Sequence, residues 1–212
     1  MAADFPREYI AFAPMSPKPA GDAPPIEEEV KLAVASVEEA RRRLAAAGAQ
    51  QVRARHFEDN RCFDTPEGRL GFTGRLLRLR ETRPAAGAGP GLLTYKGPAE
   101  AGPTKRRPEV ETPVGDPAAT RRLLEAVGFR TDFHYQKYRT VFHLDAVEVV
   151  LDETPIGCFL EIAGSRSAIA AAAGKLGFTP EEYLTDSYAG LYRQSGREPA
   201  DAMLFPEEEI TP

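Results

Sequence analysis

Two glutamates and a lysine, each two residues apart, stand in the first regular stretch of the chain: Glu27, Glu29 and Lys31 in IEEEVKLAV. Side chains alternate across a strand, so residues two apart share a face. The same spacing places Arg78 beside Arg80, and Lys105 in line with Arg107, Glu109 and Glu111. It pairs Lys137 with Arg139 around Tyr138, aligns Glu148 with Asp152, and sets Glu161 between Leu160 and Ile162. Closely spaced carboxylates hold hard divalent cations through oxygen, in the manner of magnesium or manganese. Arginine forks match phosphate oxygens, and lysines supply point charges beside them. Facing one another, the two sets suit a chain of phosphates bridged to metal. Phosphoryl transfer needs little beyond positioning, charge stabilisation and an oriented nucleophile.

No competing chemistry is apparent. His56, His134 and His143 have no HExxH-like spacing and read as structural or surface residues. Cys62 and Cys158 stand far apart without a CxxC, so they read as small strand-packing residues rather than nucleophiles or zinc ligands. The glycine-rich PAAGAGPG stretch (84–91) lacks the lysine and following helix of a phosphate-binding loop.

The charged faces need strands to carry them, and about eight strand-like segments are present: 26–34, 52–63, 75–82, 92–97, 105–113, 133–143, 146–154 and 157–163. Helical patterns interrupt them at 36–48, 117–127 and 166–176, with a shorter one at 187–193. Ser36 and Glu39 form a capping-box signature, and Asp116 followed by Pro117 marks the start of the second helix. One strand alternating charge with aliphatic residues is what any half-exposed antiparallel sheet shows. Here the pattern recurs in most strands, and eight strands are enough to close a barrel around a space. If the apolar faces pack outward against helices, the charges line that space. A lumen of both signs would be costly if dry and unpaired, but not if filled by water, metal ions and a polyanion. The expected architecture is α+β, an eight-stranded antiparallel β-barrel tunnel with helices packed outside.

The 212 residues suit one domain with appendages. Six of the 19 prolines precede Ile26, so 1–25 reads as a flexible tail, 26–193 as the domain, and 194–212 as a polar C-terminal tail. Within that last segment Met203-Leu204-Phe205 could dock back onto the domain. A net charge of −5 disfavours a general nucleic-acid or acidic-membrane binder. No apolar run approaches the roughly 18 residues of a membrane span, and the N-terminus does not read as a secretory signal. A cytoplasmic protein is expected.

The ordered motifs resemble the CYTH superfamily of triphosphate tunnel metalloenzymes. IEEEVKLAV at 26–34 is similar to its N-terminal ExExK signature. The likeness continues through FEDNRCFDTPEGRL (57–70), LLRLR (76–80), LTYKGP (93–98), RPEVE (107–111), YQKYR (135–139), LDETPIGCFLEI (151–162) and SYAGLYR (187–193). The resemblance implies an eight-stranded tunnel. It implies that Glu27, Glu29 and Glu161 bind a divalent metal, magnesium or manganese, with Glu109, Glu111 and Asp152 holding metal or orienting the attacking group. It further implies that Lys31, Arg78, Arg80, Lys96, Arg107, Lys137 and Arg139 grip the triphosphate, and that Lys31, Glu29 and Asp152 form the catalytic set. One departure stands out: the family commonly has a second carboxylate where this chain has Ala163.

Members of that superfamily include class IV adenylate cyclases, thiamine triphosphatases and inorganic tripolyphosphatases. The expected partner is therefore a small triphosphate: tripolyphosphate, ATP or thiamine triphosphate. Hydrolysis is the leading expectation, because it needs only the triphosphate grip and no adenine pocket is apparent. Cyclisation of ATP to cyclic AMP and pyrophosphate is the alternative, and a non-catalytic polyphosphate-binding module the second.

Overall fold

The computed structural model describes residues 24–83 and 91–210. Most of the proline-rich 1–25 segment and nearly all of PAAGAGPG lie outside the described residues. The elements run β1 (Ile26–Val34), α1 (Val37–Ala46), β2 (Gln50–Asp64), α2 (Arg69–Phe72), β3 (Leu76–Arg83), β4 (Gly91–Lys96), β5 (Lys105–Val114) and α3 (Pro117–Ala126). They continue with β6 (Arg130–Leu144), β7 (Val147–Thr154), β8 (Gly157–Ala163), α4 (Arg166–Lys175), α5 (Tyr188–Gln194) and β9 (Ala202–Met203).

Eight strands close a ring in the order β2-β3-β4-β5-β1-β8-β7-β6, with β6 pairing back to β2. Every pairing in the ring is antiparallel. The expected α+β ring of eight antiparallel strands with helices outside is therefore the observed fold. Closure pairs each strand on both sides, and where ring pairing runs out other segments take over, Leu184 at Lys31 of β1 and β9 at β6.

The outward apolar faces decide where the helices sit. Val30 and Leu32 of β1, Val149 and Leu151 of β7, and Leu160 and Ile162 of β8 are fully buried beneath α1 and α4. Each such aliphatic contributes about 1.5–3 kcal/mol by leaving water. A second, smaller layer packs Leu124 of α3 over Phe63 and Leu79. Local signals fix the helix starts. The Glu39 N–H donates to Ser36 Oγ (3.1 Å), and the Ala119 N–H to Asp116 Oδ1 (2.8 Å). The Glu39 carboxylate accepts from Ala35 N–H rather than closing the reciprocal box, and also binds Arg43 four residues on. Asp145 makes the two-residue β6–β7 turn with φ 52°, a left-handed conformation that aspartate tolerates.

Two features were not legible in the strand pattern. Within FDTPEGRL, the Asp64 carboxylate accepts from the backbone N–H of Thr65, Leu70 and Gly71, which winds α2. The C-terminal segment does dock: β9 pairs parallel with β6 at His134 and Tyr135, beyond the end of β7's own pairing at Tyr138. Met203 is fully buried there, and Phe205 lies against Tyr138 with ring centroids 5.4 Å apart.

Candidate active site

Inside the ring is a cavity of about 220 Å³. From β1 it is lined by Glu27, Glu29 and Lys31; from β3 and β4 by Arg78, Arg80 and Lys96; from β5 by Lys105, Arg107, Glu109 and Glu111. From β6 come Lys137 and Arg139, from β7 Glu148, and from β8 Glu161. Alternation puts them there. Once Val30, Leu32, Leu160 and Ile162 face the helices, their neighbours must face in. Of the thirteen residues expected at the site, twelve line the cavity.

Asp152 is the thirteenth, and it stands behind the wall. It is fully buried, and both its oxygens accept from neighbouring side chains. Oδ1 accepts from Arg139 Nε (2.7 Å), and Oδ2 accepts from Lys137 Nζ (2.8 Å), Arg139 Nη2 (2.6 Å) and the Tyr188 hydroxyl (2.8 Å). In this position Asp152 orients the cations that line the cavity.

The mixed charges are largely paired with one another rather than left for solvent to compensate. Lys31 Nζ lies 2.8 Å from Glu161, and Arg139 Nη2 2.6 Å from the same carboxylate. Burial alone would raise the Glu161 pKa, but Lys31, Lys137 and Arg139 hold it well below the usual carboxylate range. Arg80 donates to Glu58 (3.1 Å), a fully buried carboxylate that Arg80, Arg139 and Lys137 likewise keep ionised against its burial. Lys96 binds Glu27 and sits 3.2 Å from Glu109. Arg78 donates to Tyr135 Oη (3.2 Å), and Thr94 Oγ1 donates to Glu111 (2.6 Å).

One end of the ring is filled. Leu184 exchanges backbone hydrogen bonds with Lys31 (3.1 and 2.8 Å), which brings the following α5 into the ring opening. Tyr188 and Tyr192 of α5 pack with the inward Cys62, Phe133, Tyr135 and Phe159. The Tyr188 ring faces the ammonium groups of Lys31 (4.5 Å) and Lys137 (5.0 Å). Burial pushes the Cys62 thiol up to about 11, which keeps it an inert packing residue.

Glu58, Tyr135 and Tyr188 belong to this site without having been singled out for it, whereas Lys105 and Glu148 were placed on the charged faces but given no role. Glu58 shares a face with Cys62 by simple alternation. Nothing local predicts that α5 enters the ring.

Among the described residues no three acidic, histidine or cysteine side chains are already gathered as a metal site. The donor chemistry nevertheless fits a hard cation. Glu27 and Glu109 share a hydrogen bond, and burial together with Glu27 and Glu111 pushes the Glu109 carboxyl up to about 7 against the pull of Lys96. A proton there does what a cation would do. Magnesium is typically held by one or two carboxylates, with phosphate oxygens and water completing an octahedron.

A CYTH domain model matches residues 25–176, well over half of the chain. The chain belongs to the CYTH family. It is 26% identical over 145 residues to a Methanocaldococcus jannaschii protein provisionally named an adenylate cyclase, covering 68% of this chain and 79% of that one. Its fold is similar to the structure of a Vibrio parahaemolyticus protein with the same provisional name, with TM-score 0.67 at 24% identity over 77% of this chain and 95% of the other. It is also similar to a Hippeastrum protein described as an adenylyl cyclase by name with a dominant triphosphatase activity, with TM-score 0.60 at 19% identity over 82% and 99%. At these identities the structural likenesses establish the CYTH fold, closed ring included. No helix among the described residues is long and apolar enough to cross a membrane.

Proposed function

We propose that this CYTH protein is a divalent-metal-dependent triphosphatase, cutting inorganic tripolyphosphate or the triphosphate of a small organic molecule. The observation that carries the reading is the cavity itself. At about 220 Å³ it lies below the roughly 300 Å³ at which pockets for drug-sized molecules begin. Fourteen of its twenty lining residues are charged, and the uncharged ones, among them Leu76, Tyr135 and Tyr188, leave little wall for a purine beside them. A phosphate chain suits it, and an organic group would remain at the mouth.

Charge balance favours a metal as co-ligand. The cavity's eight lysines and arginines face six lining carboxylates, with Glu58 and Asp152 directly behind them. Formal charges cancel, so the bare protein has no excess positive potential for a polyanion. Magnesium or manganese, held by Glu27 and Glu109 with Glu29, Glu111 or Glu161 in reach of the same space, would supply it and neutralise charge on the phosphate leaving oxygen. Lys31, Lys137 and Arg139 are fixed by Glu161 and Asp152, so their donors are set before substrate arrives. Such preorganisation lowers the cost of stabilising charge as it develops. Arg78, Arg80, Lys96 and Arg107 flank them on the opposite wall. Glu29 has no ion pair among the described residues, which leaves its oxygens free to orient a water. Attack of that water on the terminal phosphorus breaks the bridging P–O bond, releasing orthophosphate and the shortened chain.

Adenylate cyclase activity is the second reading, favoured by the name of the Methanocaldococcus relative. In that case the ribose 3′-hydroxyl of ATP attacks the α-phosphorus and pyrophosphate leaves. Orthophosphate, pyrophosphate and cyclic AMP should be measured with tripolyphosphate, ATP and thiamine triphosphate, each with magnesium or manganese. Orthophosphate from tripolyphosphate without cyclic AMP from ATP supports the first reading. Stoichiometric cyclic AMP and pyrophosphate supports the second. Binding without turnover would make the domain a polyphosphate-holding module.

A further inference from the structure

The helices do not cover the ring evenly. α1 and α4 bury the outer faces of β1, β7 and β8, and α3 lays Leu124 over Phe63 and Leu79. Between these two layers lie β5, the Tyr95 end of β4 and the start of β1. Alternation turns Ile26, Pro108, Val110 and Tyr95 outward there, and register sets Ile26 opposite Pro108 and Val110 opposite Tyr95. α3 starts against Gly91, where Pro117 occupies the space a Cβ would need, and crosses toward Phe63. A right-handed helix so placed turns Leu123, and Val127 just past its end, toward β4. Of the eight large apolar side chains exposed among the described residues, five gather in this region: Ile26, Tyr95, Val110, Leu123 and Val127, each 37–65% exposed. Single exposed apolar residues are ordinary, but a gathered set marks a surface that something covers.

The chain itself brings an occupant to that place. Ahead of Ile26, the Pro25 carbonyl accepts from the Glu109 N–H (2.9 Å), so the register sets Pro24 opposite Val110, at the edge of the apolar strip. Residues 1–23 precede that point, and in them Phe5, Tyr9, Ile10, Phe12 and Met15 fall within eleven residues. The ten residues that follow, SPKPAGDAPP, hold no large apolar side chain. Ten residues reach up to about 33–36 Å when extended. The patch crosses four neighbouring strands, a width of about 14 Å. A segment tethered this way meets the patch at an effective concentration that no free partner of the same composition has. We infer that residues 5–15 form an arm that docks on the outer face of β4, β5 and β1. It seats its aromatic side chains on Tyr95, Val110 and Leu123, and pins the start of the strand that carries Glu27 and Glu29.

The chain has no tryptophan, so Phe12→Trp in the full chain is a single fluorescent reporter. Its emission and acrylamide quenching are compared with those of Phe12→Trp carrying Val110→Glu and Leu123→Glu, two exposed positions outside the cavity, with sedimentation at each protein concentration. The expected result is a monomer with blue-shifted emission, whose quenching constant is less than half that of the triple variant. Equal quenching in the two proteins overturns the inference. So does protection that appears only as a dimer forms, which would give the surface to a second copy. A reciprocal measurement stands apart from the patch variants: nitration of Tyr95 by tetranitromethane, located by peptide mass. It should be faster in Phe5→Ser/Tyr9→Ser/Phe12→Ser than in wild type. An unchanged rate overturns the inference whether or not the patch variant folds.

Discussion

The Tyr188 hydroxyl donates to Asp152 Oδ2 across 2.8 Å, joining α5 to β7. The same oxygen receives Lys137 and Arg139, so Tyr188 supports the two cations without touching the cavity's carboxylates. Tyr188→Phe keeps the ring against Lys31 and Lys137 and removes only this bond. A hydrogen bond to a charged group is worth about 1.5–3 kcal/mol, which predicts a melting temperature lower by several degrees. If the bond also positions Lys137 and Arg139, kcat should fall more than KM rises. Tyr188→Leu should be worse on both counts. A Phe variant with unaltered melting and kinetics would remove the positioning role.

Glu109 predicts a pH dependence for metal. Its folded pKa, about 7, is above the ordinary carboxylate value, so between about 4.5 and 7 the folded protein keeps a proton that the unfolded chain has lost. Stability contributed by this group therefore falls as pH rises through that window. Metal must displace the proton, so apparent magnesium or manganese affinity should rise up to about tenfold per pH unit below 7 and level off above 8. Glu109→Gln should flatten the profile. Calorimetry in two buffers of different ionisation enthalpy checks whether a proton is released on binding, and a pH-independent affinity would refute the assignment.

Arg80 is expected to matter for folding as well as for phosphate. Its Glu58 partner is fully buried, and removing one member of a buried pair costs up to about 3–5 kcal/mol. Lys137 and Arg139 remain near Glu58 and soften the loss in Arg80→Ala. The double variant with Glu58→Gln should recover part of the stability while triphosphate affinity stays low. A double-mutant cycle in urea measures the coupling. An Arg80→Ala protein as stable as wild type would mean that the pair is energetically idle.

Ala163 lies between Glu29 on β1 and Glu148 on β7, in register with both. Ala163→Glu would place a third carboxylate between two that have no ion pair among the described residues. Without metal the variant should melt lower than wild type. If the position is a lost ligand, manganese should raise its melting temperature by more than it raises that of wild type, and half-saturation for turnover should come at lower metal concentration. An equal or smaller metal-induced shift would mark Ala163 as space for substrate or water instead.

Much of this site was readable from spacing. Alternation in IEEEVKLAV, LLRLR and KRRPEVE fixes which side chains share a face, and the aliphatic residues between them fix which face must be covered. The inward set of charges follows, because a strand cannot turn one residue without turning its neighbours. Residue spacing also gave the helix starts at Ser36 and Asp116, since those signals are local. What the sequence could not determine is how charges from different strands meet. Register decides that Lys31 faces Glu161 and Arg80 reaches Glu58, so a wall expected to depend on solvent and ligands for its compensation is mostly paired within itself. Register also hides Asp152 behind Lys137 and Arg139, although its alternation matches that of a lining residue. The entry of α5 and the docking of Met203 against β6 depend on ring edges and an open end that exist only once eight strands have closed. The closed ring likewise decides that Lys105, opposite Glu29 in the β1–β5 ladder, has no ion pair among the described residues.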